Sequence, residues 1–134
     1  MAGAGTLTLY LQQAEQSLDR LDRAVEQWDS ASEGRGRADA PAPAGRDRAA
    51  MQAALREARA ALAEMARLEP PPGLEEAHRS WLKLIAGYDR AVEALERYTV
   101  QGNASRDLEQ FTLAWAESDQ VEEEWRAGVQ AAAK

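Results

Sequence analysis

The sequence predicts an all-α chain folded as an antiparallel, up-down-up-down four-helix bundle with a long flexible linker between its first two helices. Three observations predict it. Four segments carry apolar residues at helical spacing, and proline, glycine and capping residues fall between them. No stretch shows the strict alternation or β-branched enrichment of a strand. The length of 134 residues suits a single domain spanning 1–134. Such a chain buries about two-thirds of its unfolded surface and needs no covalent staple. With no cysteine it has no disulfide, thiolate metal site or cysteine nucleophile.

The first helix is expected over 6–29. Leu7, Leu11, Ala14, Leu18, Leu21, Val25 and Trp28 recur at spacings of 4, 3, 4, 3, 4 and 3, a seam that packs one helix against its neighbours. Thr6 or Thr8 is the candidate N-cap. Residues 30–46, rich in Gly, Pro and Ala and without apolar period, read as the flexible linker. The second helix, 48–68, carries Met51, Leu55, Ala58, Leu62 and Met65, flanked by Ala54, Ala61 and Leu68, with Asp47 as its cap. Pro70-Pro71-Pro72-Gly73 must end it, because proline lacks the amide donor and pushes the preceding residue out of helical geometry.

The third helix, 73–100, runs Leu74, His78, Trp81, Ile85, Tyr88, Val92, Leu95, with Glu75 and Glu76 where the helix dipole favours negative charge. The fourth, 104–132, runs Ala104, Leu108, Phe111, Trp115, Ser118, Val121, Trp125, Val129. Between them Gly102 suits a left-handed C-terminal position, and Asn103 or Ser105 an N-cap. Asn103-Ala104-Ser105 also spells a glycosylation sequon, which capping explains better. The short turns around the third helix make helices 2, 3 and 4 alternate in direction. The linker is long enough to set helix 1 either way, or to swap it onto a second copy, so monomer and dimer both stay open.

The formal net charge of −7 at pH 7 argues against nucleic acid, whose partners display a basic stripe. No window approaches the run of about 18 apolar residues that a membrane span needs. Residues 1–10 show neither a basic region nor the apolar core of a signal peptide. The chain is expected to be soluble: cytoplasmic if its natural start is Met1, in the cell envelope or secreted if a leader has been removed. The 14 arginines against 2 lysines read as the coding bias of a GC-rich genome.

One polar constellation stands out. The single histidine, His78, follows Glu75 at the Glu-x-x-His spacing that di-metal carboxylate bundles use. Antiparallel register brings Glu122 and Glu64 to about the same height. His78, Glu75, Glu122 and Glu64 are therefore the candidate metal ligands. A di-metal site wants two such motifs, so the expectation is no metal and no cofactor, with His78 packed beside Trp81 or Trp125. In that setting a neighbouring carboxylate raises its pKa. His78 with Met65 as haem ligands is a weaker idea, since methionine in a seam usually fills gaps. Trp81, Trp115, Trp125 and Tyr88 are the candidate pocket or interaction aromatics, with core packing as the alternative.

Signatures of catalysis are missing: no Gly-rich phosphate loop, no Gly-x-Ser-x-Gly elbow, no His-Glu-x-x-His. Leu68-Glu69-Pro70-Pro71-Pro72-Gly73-Leu74, followed by His78, Trp81, Ile85, Tyr88 and Ala91, resembles small helical-bundle proteins of unknown function from GC-rich bacteria. Many of those are exported or lipid-anchored. The resemblance implies a helical bundle and no activity. The expectation is a non-catalytic bundle acting through a protein partner or self-association, with an exposed apolar patch of several hundred Å² as its sign. The alternative is a small-molecule or metal-binding bundle around His78.

Overall fold

The computed structural model describes residues 2–36, 44–101 and 105–133. They form four helices: α1 (Ala2–Gly36), α2 (Ala44–Arg67), α3 (Glu75–Gln101) and α4 (Ser105–Ala133). The helices form an antiparallel, up-down-up-down four-helix bundle. Between α2 and α3, Arg48 meets Val100 and Met65 meets Trp81; between α3 and α4, Arg97 meets Asp107 and Tyr88 meets Glu122. Descending numbers on one helix thus face rising numbers on the next. Tyr10 to His78 and Trp28 to Thr99 run in the same sense, so α1 and α3 are parallel across the diagonal.

Helix α1 is longer than the sequence predicts at both ends. Ser30–Gly36, read as linker, continue the helix. No proline occurs before Pro41, and a glycine such as Gly34 costs a helix only about 1 kcal/mol. Thr6 and Thr8 therefore lie inside α1 and do not cap it, and Asp47 lies inside α2. The rest of the linker, 37–43, and the expected caps at Gly102 and Asn103 lie outside the described residues.

The turn from α2 to α3 follows directly from Pro72-Gly73. The Leu74 amide donates to the Pro71 carbonyl at 3.1 Å, with Pro72 and Gly73 between them. Gly73 takes φ +94°, which completes a type II turn and requires a residue without Cβ. Glu75 reaches back to accept the Gly73 amide at 3.0 Å. At the end of α2, the Met65 carbonyl receives both the Leu68 amide and the indole N–H of Trp81, at 3.3 and 2.9 Å. One tryptophan thus satisfies a helix end and fills the core.

Small residues set two helix pairs close together. Ala14, Ser17, Ala24, Ala54, Ala58 and Ala61 are all buried in α1 and α2. Between α3 and α4, a Cβ added to Gly87 would lie 2.3 Å from the Ser118 hydroxyl, and one on Gly128 3.1 Å from the Ala77 Cβ. The bundle is therefore two tight hairpins, joined along α2/α3 and spread apart along α1/α4. Among the described residues, no Cα pair across α1/α4 comes within 8 Å. Large rings fill the spread: Tyr10, Trp28, Trp81, Tyr88 and Trp125 are buried there or in the adjoining core. Four arginines each clamp one interface: Arg20 to Glu57 and Glu64, Arg59 to Asp89 and Glu96, Arg97 to Asp107, and Arg126 to Glu15. Such pairs contribute under about 1 kcal/mol each near the surface, so they register the helices more than they stabilise them.

Candidate functional site

The four candidate metal ligands do not gather. Glu64 is held by Arg20 on the α1/α2 face. Glu75 is turned into the α2–α3 turn. Glu122 accepts Arg126 at 2.9 Å and the Tyr88 hydroxyl at 3.1 Å. His78 is buried and bonded to Tyr10, with none of these three carboxylates among the causes of its shifted pKa. Among the described residues, no group of three or more His, Asp or Glu is placed to hold a metal ion. The level estimate that set His78 near Trp125 holds, but a residue the sequence reading left aside joins them. The Trp125 indole donates to the Tyr10 hydroxyl at 3.0 Å, and that hydroxyl lies 3.0 Å from His78 Nδ1.

An indole N–H only donates, so the Tyr10 oxygen accepts it, and in the tautomer that carries its proton on Nε2 the His78 Nδ1 accepts the tyrosine proton. That arrangement suits neutral imidazole. Burial, with no carboxylate beside the ring, pushes the His78 pKa below its ordinary value, the reverse of the expected rise. Burial likewise raises the Tyr10 hydroxyl, against the bond from Trp125. Met65 is fully buried in the same core. Trp81 and Trp125 pack against each other at a tilt, 4.7 Å between ring centroids, and are wholly enclosed, so they are core rather than pocket.

This triad and the Arg126–Glu15 pair close one half of the α1/α4 seam. The other half is open. There Val25 and Trp28 of α1 face Phe111 and Trp115 of α4 across a groove of about 400 Å³, rimmed by Asp22, Glu26 and Asp29. Trp28 is buried, its indole satisfied by donating to Thr99 at 2.9 Å, whereas Val25, Phe111 and Trp115 stay partly exposed. Trp115 leans on Phe111 at 5.6 Å and on Tyr88 at 4.6 Å between centroids. Of the four candidate aromatics, Trp115 alone lines this groove, and Tyr88 supports it from behind.

The rim is electrostatically crowded. Glu15, Asp19, Asp22, Glu26 and Asp29 recur along α1 at spacings of 4, 3, 4 and 3, one carboxylate per turn beside the seam. From α4, Asp119 and Glu122 face them and accept the Tyr88 hydroxyl at 3.4 and 3.1 Å. Partial desolvation, then Glu122, Asp19, Asp119 and Glu26, push the Asp22 pKa up to about 6 although its side chain stays exposed. Burial first and Glu122 second raise Asp119 as well. The same causes raise Tyr88. By contrast, the polar groove between α1 and α2 is charge-balanced, because Arg20 and Arg23 line it together with Glu57 and Glu64.

The periodicity places Val25 and Phe111 in their helix seams but marks neither as a site, and it gives no role to Tyr10, Asp22, Glu26 or Asp29. The signal that marks the rim was present, as the heptad-spaced acidic stripe beside an apolar seam. No helix among the described residues is long and apolar enough to cross a membrane. No protein family, curated protein or solved structure matches this chain.

Proposed function

We propose that this chain is a non-catalytic helical-bundle module that works by binding another protein along the open half of the α1/α4 seam. The observation that carries this reading is the partly exposed cluster of Val25, Phe111 and Trp115, in the one neighbouring-helix interface that stands apart among the described residues. The most exposed large apolar residues, Leu9, Leu82, Val100 and Leu113, are single positions spread over three helices and need no partner. The docking surface is accordingly a groove rather than the broad patch expected from the sequence. Side chains of catalytic type are spent internally: His78 on Tyr10, and the Ser118 hydroxyl on the Ala114 carbonyl at 2.7 Å.

The test is site-specific photo-crosslinking in cells that make the protein, with the reactive residue placed at Phe111, Trp115 or, as control, Leu82. The expected result is one discrete protein adduct from positions 111 and 115 and none from 82. Equal labelling from all three, or none from 111 and 115, would overturn the reading.

A further inference from the structure

The rim and the floor of the groove specify different parts of an occupant. The floor is aromatic and aliphatic: Val25, Trp28, Phe111 and Trp115. The rim is acidic along α1, with Asp22, Glu26 and Asp29; Asp119 of α4 stands beyond its end, close enough to push up Asp22, and none of these four makes an ion pair among the described residues. Arg126, the α4 cation bonded to Glu122, is committed to that residue and to Glu15. From α3 the Tyr88 hydroxyl donates to Asp119 and Glu122. Asp22 to Asp29 spans about 10 Å of helix rise, close to two turns.

An occupant must therefore offer an apolar stripe about two turns long with cations on its flanks. That is the pattern of an amphipathic helix laid into a groove. A second copy of this chain presenting the same seam would set acid against acid, which costs affinity. Building on the reading that the seam docks a protein, we propose that it receives a short basic amphipathic helix of the partner. Its apolar stripe lies on Val25, Phe111 and Trp115, and its lysines or arginines face Asp22, Glu26, Asp29 and Asp119.

The crowding of carboxylates supports this assignment by its consequence for binding. In the free bundle the rim groups repel one another and Asp22 holds its proton up to about pH 6. A cation supplied from outside favours the ionised form, so binding near that pH releases a proton. The substitutions Asp22→Asn and Glu26→Gln remove repulsion from the free bundle and remove attraction for the partner. They should raise the melting temperature while weakening binding. A residue that merely supports the fold would not move the two quantities in opposite directions.

The experiment is calorimetric titration of the full chain with three synthetic helical peptides of about 14 residues, roughly four turns. One carries a leucine and tryptophan stripe flanked by lysine and arginine. The second replaces its cations by glutamate, and the third scrambles the basic sequence at constant composition. The expected result is binding of the first alone, with proton uptake by the buffer near pH 6. Binding should weaken about tenfold or more in the Asp22→Asn/Glu26→Gln/Asp29→Asn variant, and also in Phe111→Ala/Trp115→Ala, with folding confirmed by circular dichroism. Equal binding of the scrambled peptide, or no loss in Phe111→Ala/Trp115→Ala, would reduce the effect to bare charge attraction and overturn the proposal; no loss in the carboxylate variant would show that the rim does not read the cations and would overturn it as well. No binding of the basic peptide would overturn it too. In that case persistent crosslinks from positions 111 and 115 would leave the docking reading intact, and their absence would remove both.

Discussion

Tyr10 links three helices through one oxygen, accepting from Trp125 of α4 and facing His78 of α3. Protonating His78 would put a hydrogen on Nδ1 and leave the tyrosine proton without its acceptor. The consequence for stability has a definite sign. The unfolded chain takes up a proton on histidine near pH 6.5, while the folded chain, with its depressed pKa, resists it. Stability from this group is therefore complete above about pH 6.5 and is lost as the pH falls. The rim acts oppositely. Asp22, raised in the fold, binds a proton between its ordinary range and about 6, so its contribution grows as the pH falls through that window. Urea denaturation of His78→Gln against the parent should show a smaller loss between pH 6.5 and 5. Coincident profiles would remove His78 from the acid response. Asp22→Asn should melt higher than the parent at pH 7.5 and lose that advantage near pH 4.

At the scale of elements, the spacing of the helices is decided by the smallest side chains. Gly87 lets α3 approach α4 so closely that Ser118 occupies the volume of its absent Cβ. Ser118 cannot yield freely, because turning its hydroxyl away would abandon the bond to the Ala114 carbonyl in a buried place. Alanine at an exposed helix position gains about 1 kcal/mol over glycine. At Gly87 this gain should be exceeded, with a net loss of about 1–2 kcal/mol in chemical denaturation. Gly87→Ala combined with Ser118→Ala should recover most of it, since the colliding hydroxyl is gone. Additive losses in that double-mutant cycle would mean the contact is not the cause. The same close approach has an indirect result. With α3/α4 and α1/α2 drawn tight by alanine, glycine and serine, the bulk of the aromatic rings accumulates where α1 faces α4, and that seam opens.

Over the whole molecule, charge is distributed unevenly as well as in excess. The net charge is −7, yet the interfaces α1/α2, α2/α3 and α3/α4 each hold an arginine between carboxylates. Among the described residues, none that lines the open half of α1/α4 is a cation. Repulsion there is screened over about 10 Å at 0.1 M salt. Raising sodium chloride from about 10 to 200 mM should therefore raise the melting temperature of the parent, and raise it less in the Asp22→Asn/Glu26→Gln variant. An unchanged or lower melting temperature in the parent would show that the clamps dominate the balance. The molecule thus carries its electrostatic cost in the same groove that leaves Phe111 and Trp115 partly exposed.

The helical architecture was legible in the residues because periodicity, proline and glycine act locally. Leu18 and Leu21, Leu55 and Leu62, Trp81 and Leu84 are all buried, as their spacing required. The Pro72-Gly73 turn follows from two residues whose backbone preferences leave few choices. Boundaries were less legible where the composition is permissive, so Ser30–Gly36 remain helical despite two glycines. The site depended on tertiary structure. Height along a bundle follows from counting residues, which is why His78 does lie near Trp125. Rotation about each helix axis does not follow from it, and rotation turned Glu64 toward Arg20 and brought Tyr10 onto His78. The sequence alone determined which residues form four amphipathic helices and that their surface is acidic. Only the packed bundle decided which interface closes and which gapes, because that depends on side-chain volumes summed across helices that are distant in the chain.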